Sequence, residues 1–252
     1  MSKLSPQAQK IIKDYLVLPF PDHAISAPYF NNQRVKMRAA LRVLIGKGSS
    51  QDIVEEAQII SLRDKIDLEK LNNTDLKKFL VEHNLGVDCS ALAYYILDAE
   101  NQARGLGLLK KQIIFTNAKN PFRKILAKLR PVENISVAVL ADDKNSKIVT
   151  LDTIQAGDLI ILWRTGKDHK LNHILIVHQV DGNKISYVHS FRWSKDGLYD
   201  HGVQQGTVTI SDKSKSLAEQ IWEEKNKIGE ENETWRHVQL AEPVEIRRLN
   251  AF

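Results

Sequence analysis

"NHILIVHQVDGNKISYVHSF", residues 172–191, decides the fold of this chain. Two runs rich in β-branched residues flank Asp-Gly-Asn, the signature of a β-hairpin. The loop length sets which side chains meet. With a three-residue loop, Asp181–Asn183, Val180 pairs with Lys184 and His189 lies opposite Leu175. His173 and His189 are then diagonal neighbours on one face. A two-residue loop turns them to opposite faces, because one residue of slip inverts every side chain. The three-residue loop is the expectation. His178, an odd number of steps from His173, falls on the other face as a partly buried strand histidine.

Outward from the hairpin the same period of two continues. "NISVAVL" (134–140), "GDLIILW" (157–163), "GTVTI" (206–210) and "PVEIRRL" (243–249) read as short strands separated by Gly, Asp and Asn. "SKSLAEQIWEEKNKIG" (214–229) reads as a helix interrupting them, and "IGEENETW" (228–235) as a loop. The first third is helical. Ser5-Pro6 caps "QAQKIIKDYL", and two asparagines open "NNQRVKMRAALRVLIGKG" (31–48), which Gly46 and Gly48 stop. Serines and early acids open "SSQDIVEEAQIISLRDK" (49–65), and "NNTDLKKFLVEHNLG" (72–86) closes on Gly86. Helices followed by consecutive strands predict an α+β fold with an antiparallel sheet of five to six strands. Residues 1–80 form a helical extension or insertion, and 81–252 the main domain, the two making one compact unit.

The 252 residues suffice for a sizeable core. One cysteine excludes a disulfide framework and a CxxC zinc site, and the eight histidines show no HExxH spacing, so neither metal nor cofactor is expected. A net charge of +5 suggests an anionic partner. No stretch has the length of a membrane span, and the N-terminus shows no apolar export region, an expectation of a cytoplasmic chain unless a leader directs it to the cell wall or beyond. "KNPFRKILAKLR" (119–130) forms a basic amphipathic helix, capped by Asn120 with Pro121 at its first position. It reads as a solvated cationic face over an apolar stripe, with an anionic membrane or nucleic acid as the alternative, although no nucleic-acid motif accompanies it.

The sole cysteine stands in "GVDCSALAYYILD" (86–98), where Asp88 caps a helix and Cys89 takes its first position. A helix N-terminus lowers a thiol pKa, so Cys89 is a candidate nucleophile as well as a small hydrophobe. A cysteine at a helix start, a histidine on a strand and a second ring on the paired strand have the logic of a thiol hydrolase. Trp163 and Trp193 are placed to line a cleft, or else to pack in the core or at its rim.

These residues resemble the NlpC/P60 cysteine peptidases. "DCSALAYYIL" is similar to their Asp-Cys-Ser-Gly helix, "AGDLIILW" to "PGDLVFF", "NHILIV" to "HVGIY", and "YVHSF" to "(F/I)IHA". The resemblance covers about residues 86–210 and implies a papain-like fold with Cys89 as nucleophile, His173 as base and His189 as the orienting residue. It further implies a substrate-facing role for Ser90 and for Tyr29 in "APYFNN", and amide cleavage in peptidoglycan stem peptides or their fragments. Related folds include amidases and acyltransferases; a non-catalytic basic binding protein is the other alternative. Ala91 and Leu175 stand where the family has glycines, and Tyr29 lies sixty residues before Cys89 where the family's tyrosine lies about a dozen.

Overall fold

A computed structural model of the chain describes residues 1–32 and 41–252. In chain order its strands are β1 (Ser2–Lys3), β2 (Ser146–Ile148), β3 (Leu159–Thr165), β4 (Leu171–Asp181), β5 (Lys184–Phe191), β6 (Gly202–Thr209), β7 (Ile221–Glu224), β8 (Lys227–Ile228) and β9 (Val244–Leu249). The α-helices are α1 (Pro6–Leu16), α2 (Ser50–Asp64), α3 (Asn73–Glu82), α4 (Cys89–Ala103), α5 (Pro121–Leu129), α6 (Pro131–Asn134), α7 (Val137–Leu140) and α8 (Glu233–Gln239). The fold is α+β. Among the described residues the antiparallel sheet has nine strands, not five or six, in the order β2-β9-β3-β4-β5-β6-β7-β8, with β1 pairing β4.

The sheet is covered on both faces. Leu159, Ile161, Ile174, Ile176, Val188 and Val203 pack in one core with Ala93, Ile96 and Leu97 of α4 and Ala8 and Ile12 of α1. Ile160, Leu162, Leu175, Val177, Ile185, Tyr187 and Val208 form a second core with Trp222 of β7 and Val238 of α8. Burial on both faces explains why β3 and β4 read as continuous apolar runs. The same first core holds Leu4, Ile53, Leu76 and Leu249, so residues before 80 share one interior with those after it.

Four local readings are corrected. "NISVAVL" contains helix α7, capped by Ser136, whose hydroxyl accepts the Val139 N–H. A cap outweighed β-propensity there. "SKSLAEQIWEEKNKIG" is a short 3-10 turn followed by β7 and β8, because Trp222 and Glu224 alternate inward against β6. "IGEENETW" carries a 3-10 turn and the start of α8, which Asn232 caps. Of the expected helix over 31–48, residues 33–40 lie outside the described residues; the remainder holds a 3-10 helix, Arg42–Ile45, ended by Gly46 at φ +75°.

The hairpin loop is a further correction. Asp181 pairs with Lys184, leaving a two-residue loop, Gly182–Asn183. By alternation alone this would separate the two rings. A β-bulge at His178 reverses that outcome: Gln179 faces Ser186 but Val177 faces Tyr187, so one residue of β4 goes unpaired. Beyond the bulge Ile176 faces Val188, the register a three-residue loop would have set.

Candidate active site

Cys89 opens α4 because Asp88 caps it: Asp88 Oδ1 accepts the Ala91 N–H at 2.8 Å. The other carboxylate oxygen lies 2.7 Å from Lys47 Nζ, which also donates to Ser90 Oγ (2.8 Å) and the Ile135 carbonyl (3.1 Å). Ser90 is therefore buried, and its hydroxyl donates to Asp88 Oδ1 at 2.9 Å. The Cys89 N–H has no acceptor among the described residues.

The thiol sits where α4 meets β4, with the backbone N–H groups of Ile174 and Ser90 near enough to favour its thiolate. Burial, and then the negative charge of Asp88, push it up to about 12 against the pull of Lys47 and those two N–H groups. A helix N-terminus alone would lower it. Desolvation wins because the residue is only 7% exposed.

The bulge brings His173 and His189 together, Nε2 to Nδ1 at 2.8 Å. His189 Nε2 lies 3.1 Å from Glu224 Oε2, and the Tyr187 hydroxyl donates to that same oxygen at 2.7 Å. Phe191 stacks on His189 with ring planes 17° apart. All four members of the chain are buried. Burial and the Glu224 charge hold the Tyr187 phenol well above its ordinary range, so it remains a donor. An ionised Glu224 only accepts, which requires His189 to carry its proton on Nε2 when neutral. His189 Nδ1 then accepts from His173 Nε2–H, and His173 Nδ1 keeps a free lone pair. Burial, then the charges of His189 and His237, lower the His173 pKa well below 6.5.

Among the described residues no hydrogen bond joins the thiol to the His173 ring. Cys89 Sγ meets β4 at the amide of Ile174, while the ring leaves the strand from the preceding residue, on the side of Leu162 and Leu175. His178 is apart from the pair, its Nε2 3.2 Å from Gln205 Nε2.

The remaining sequence-selected residues divide. Tyr29 is brought close to the helix start across sixty residues: it forms a β-bridge with Val87, and its N–H donates to His201 Nδ1 at 3.2 Å. Trp163 is half-buried against the first core, its indole N–H donating to Glu245 (2.9 Å). Trp193 is buried; its N–H donates to Thr234 of α8 at 3.1 Å, so it packs on the α8 side. Sequence reading missed Lys47, Tyr187 and Glu224. The period of two that placed His189 places Tyr187 beside it, whereas Glu224 was hidden by the helical reading of 214–229.

Among the described residues no cluster of His, Cys, Asp and Glu could hold a metal ion, and no helix is long and apolar enough to cross a membrane. No family model matches the chain, nor does any curated protein or solved structure.

Proposed function

We propose that this chain is a thiol hydrolase that cleaves an amide bond through a thioester on Cys89. The observation that supports it best is the chain Tyr187–Glu224–His189–His173, which leaves a neutral Nδ1 lone pair on the residue preceding the one whose N–H lies near the thiol. In this reading the thiol and the ring, which lie toward opposite cores on either side of β4, are brought together by a shift of the α4 N-terminus against the start of β4 as substrate enters. His173 takes the thiol proton as sulfur attacks the carbonyl carbon, so neutral thiol and neutral imidazole are the resting state. The Cys89 N–H, without a protein acceptor, faces the developing oxyanion. Collapse of the tetrahedral intermediate breaks the C–N bond, and the imidazolium gives its proton to the leaving amine. Water, deprotonated by His173, then releases the acid and restores the thiol. His189 orients the ring and Glu224 fixes the tautomer.

The sequence resemblance directs the choice of substrate to stem peptides of bacterial cell wall or their fragments, and the +5 charge suits such anionic material. The test is digestion of defined muropeptides by the full chain, with mass spectrometry of products and of the intact protein. Wild type should release a new amine and, when quenched, show an acyl adduct on its one cysteine. Cys89→Ala should do neither. Undiminished turnover by Cys89→Ala, or a wild type that neither cleaves the panel nor becomes acylated, refutes the reading.

A further inference from the structure

Helix α5 presents an unusual face. Phe122, Ile125, Leu126 and Leu129 fall at i, i+3, i+4 and i+7, a single stripe about 100° wide at 3.6 residues per turn. In a helix that packs on its own protein this stripe faces the core. Here the four side chains are 76%, 61%, 42% and 70% exposed. The buried residue of α5 is Ala127, about 140° round the helix from Phe122. The helix therefore rests on the protein by its small-residue side and turns its apolar side outward.

Its charges keep to the same plan. Arg123 and Arg130 lie on one shoulder of the stripe and Lys124 and Lys128 on the other, with Lys119 just before the helix. No acid occurs between residues 119 and 130, and the nearest, Glu133, pairs with Arg130 at 3.0 Å. An apolar ridge with cations on both shoulders matches the boundary between acyl chains and anionic headgroups, where apolar side chains enter and Lys and Arg reach phosphates. A nucleic-acid groove gives Ile and Leu no such counterpart, and the segment's one ring, Phe122, makes no stacking platform.

We propose that α5 docks this protein reversibly on the surface of an anionic lipid bilayer. The inference stands apart from the activity of Cys89, since none of its residues belongs to that site. The test is co-sedimentation of the full chain with vesicles of phosphatidylcholine alone and of phosphatidylcholine with 30% phosphatidylglycerol. Binding should appear only with the anionic vesicles and weaken with salt. Phe122→Ser with Leu129→Ser should reduce it at least tenfold, and each of Lys124→Gln and Lys128→Gln about fivefold. These exposed substitutions should leave the thermal midpoint unchanged, so lost binding is not lost folding. Equal binding to both vesicles, no binding to either, or binding that survives the double substitution overturns the proposal. So does a shift of the double variant to a smaller oligomer without an effect on lipid, which would make the stripe a contact between copies. Tighter binding to duplex RNA than to the vesicles also overturns it.

Discussion

Glu224→Gln isolates the chain of buried hydrogen bonds from the packing around it. Truncation to Ala would strand the Tyr187 hydroxyl and the His189 N–H in the interior, at about 1–3 kcal/mol each, and would mix stability with chemistry. Gln keeps the shape and offers two orientations. With its oxygen at the Oε2 position, its NH2 falls where Glu224 Oε1 has no partner, leaving two buried donors unsatisfied. With its NH2 at that position it donates to His189 and Tyr187, leaving one buried donor, the Tyr187 O–H, and one carbonyl oxygen unpaired. An unmet donor costs more than an under-used acceptor, so the second orientation prevails. His189 Nε2 then accepts, its proton moves to Nδ1, and His173 must accept at Nε2 and carry its proton on Nδ1. The base is left with its proton on the wrong nitrogen. Loss of the correct tautomer costs about 10²–10⁴ in kcat, whereas stability should fall by no more than about 2 kcal/mol. The assay pairs turnover with nitrogen-15 spectra of the histidine rings at pH 7, where the lowered His173 pKa keeps that ring neutral. A variant that retains the Nε2–H tautomer at His173, or turns over within tenfold of wild type, refutes the reasoning.

Cys89, raised to about 12, should react with iodoacetamide at pH 8 far more slowly in the folded chain than in guanidinium, with no plateau below pH 10; an apparent pKa below 8.5 in the native protein contradicts this. Because an acid raised in the folded state favours folding only below its unfolded pKa, that thiol's contribution to stability should be lost as pH rises above about 8.5. His173 is lowered well below 6.5, and His178 and His201 to about 4, each chiefly by burial, so the unfolded chain takes up protons that the native one refuses. Stability should therefore be full above about pH 6.5 and fall by about 3–5 kcal/mol on going to pH 5, read from urea midpoints; a flat profile over that range refutes it. Lys47→Met leaves Asp88 buried beside Cys89 without its cation and should cost about 3–5 kcal/mol in urea unfolding, a loss under 1 kcal/mol counting against the pair.

The sequence by itself determined what depends on neighbours within a turn or a strand. Ser5, Ser49, Asn72, Asp88 and Asn120 each cap the helix expected after them, because the bonds involved span only three residues. The runs of β3, β4, β5 and β9 were legible from their β-branched content, and so was the α+β class. Cys89 at a helix start and His173 and His189 on paired strands were legible for the same local reason. What the two rings do together was not. Their meeting depends on one unpaired residue at His178, and a bulge leaves no mark in the alternation of side chains. Glu224 and Trp222 were hidden because helix-forming residues adopt a strand when β6 supplies the hydrogen bonds and the second core the burial. The state of the thiol was tertiary too: helix terminus and Asp88 are local, but the burial that outweighs the terminus and adds to Asp88 comes from packing α4 on the sheet. On α5 the sequence set the amphipathic pattern completely, and only the fold decided that its apolar side would face outward, because pattern records which residues share a face and not what that face meets.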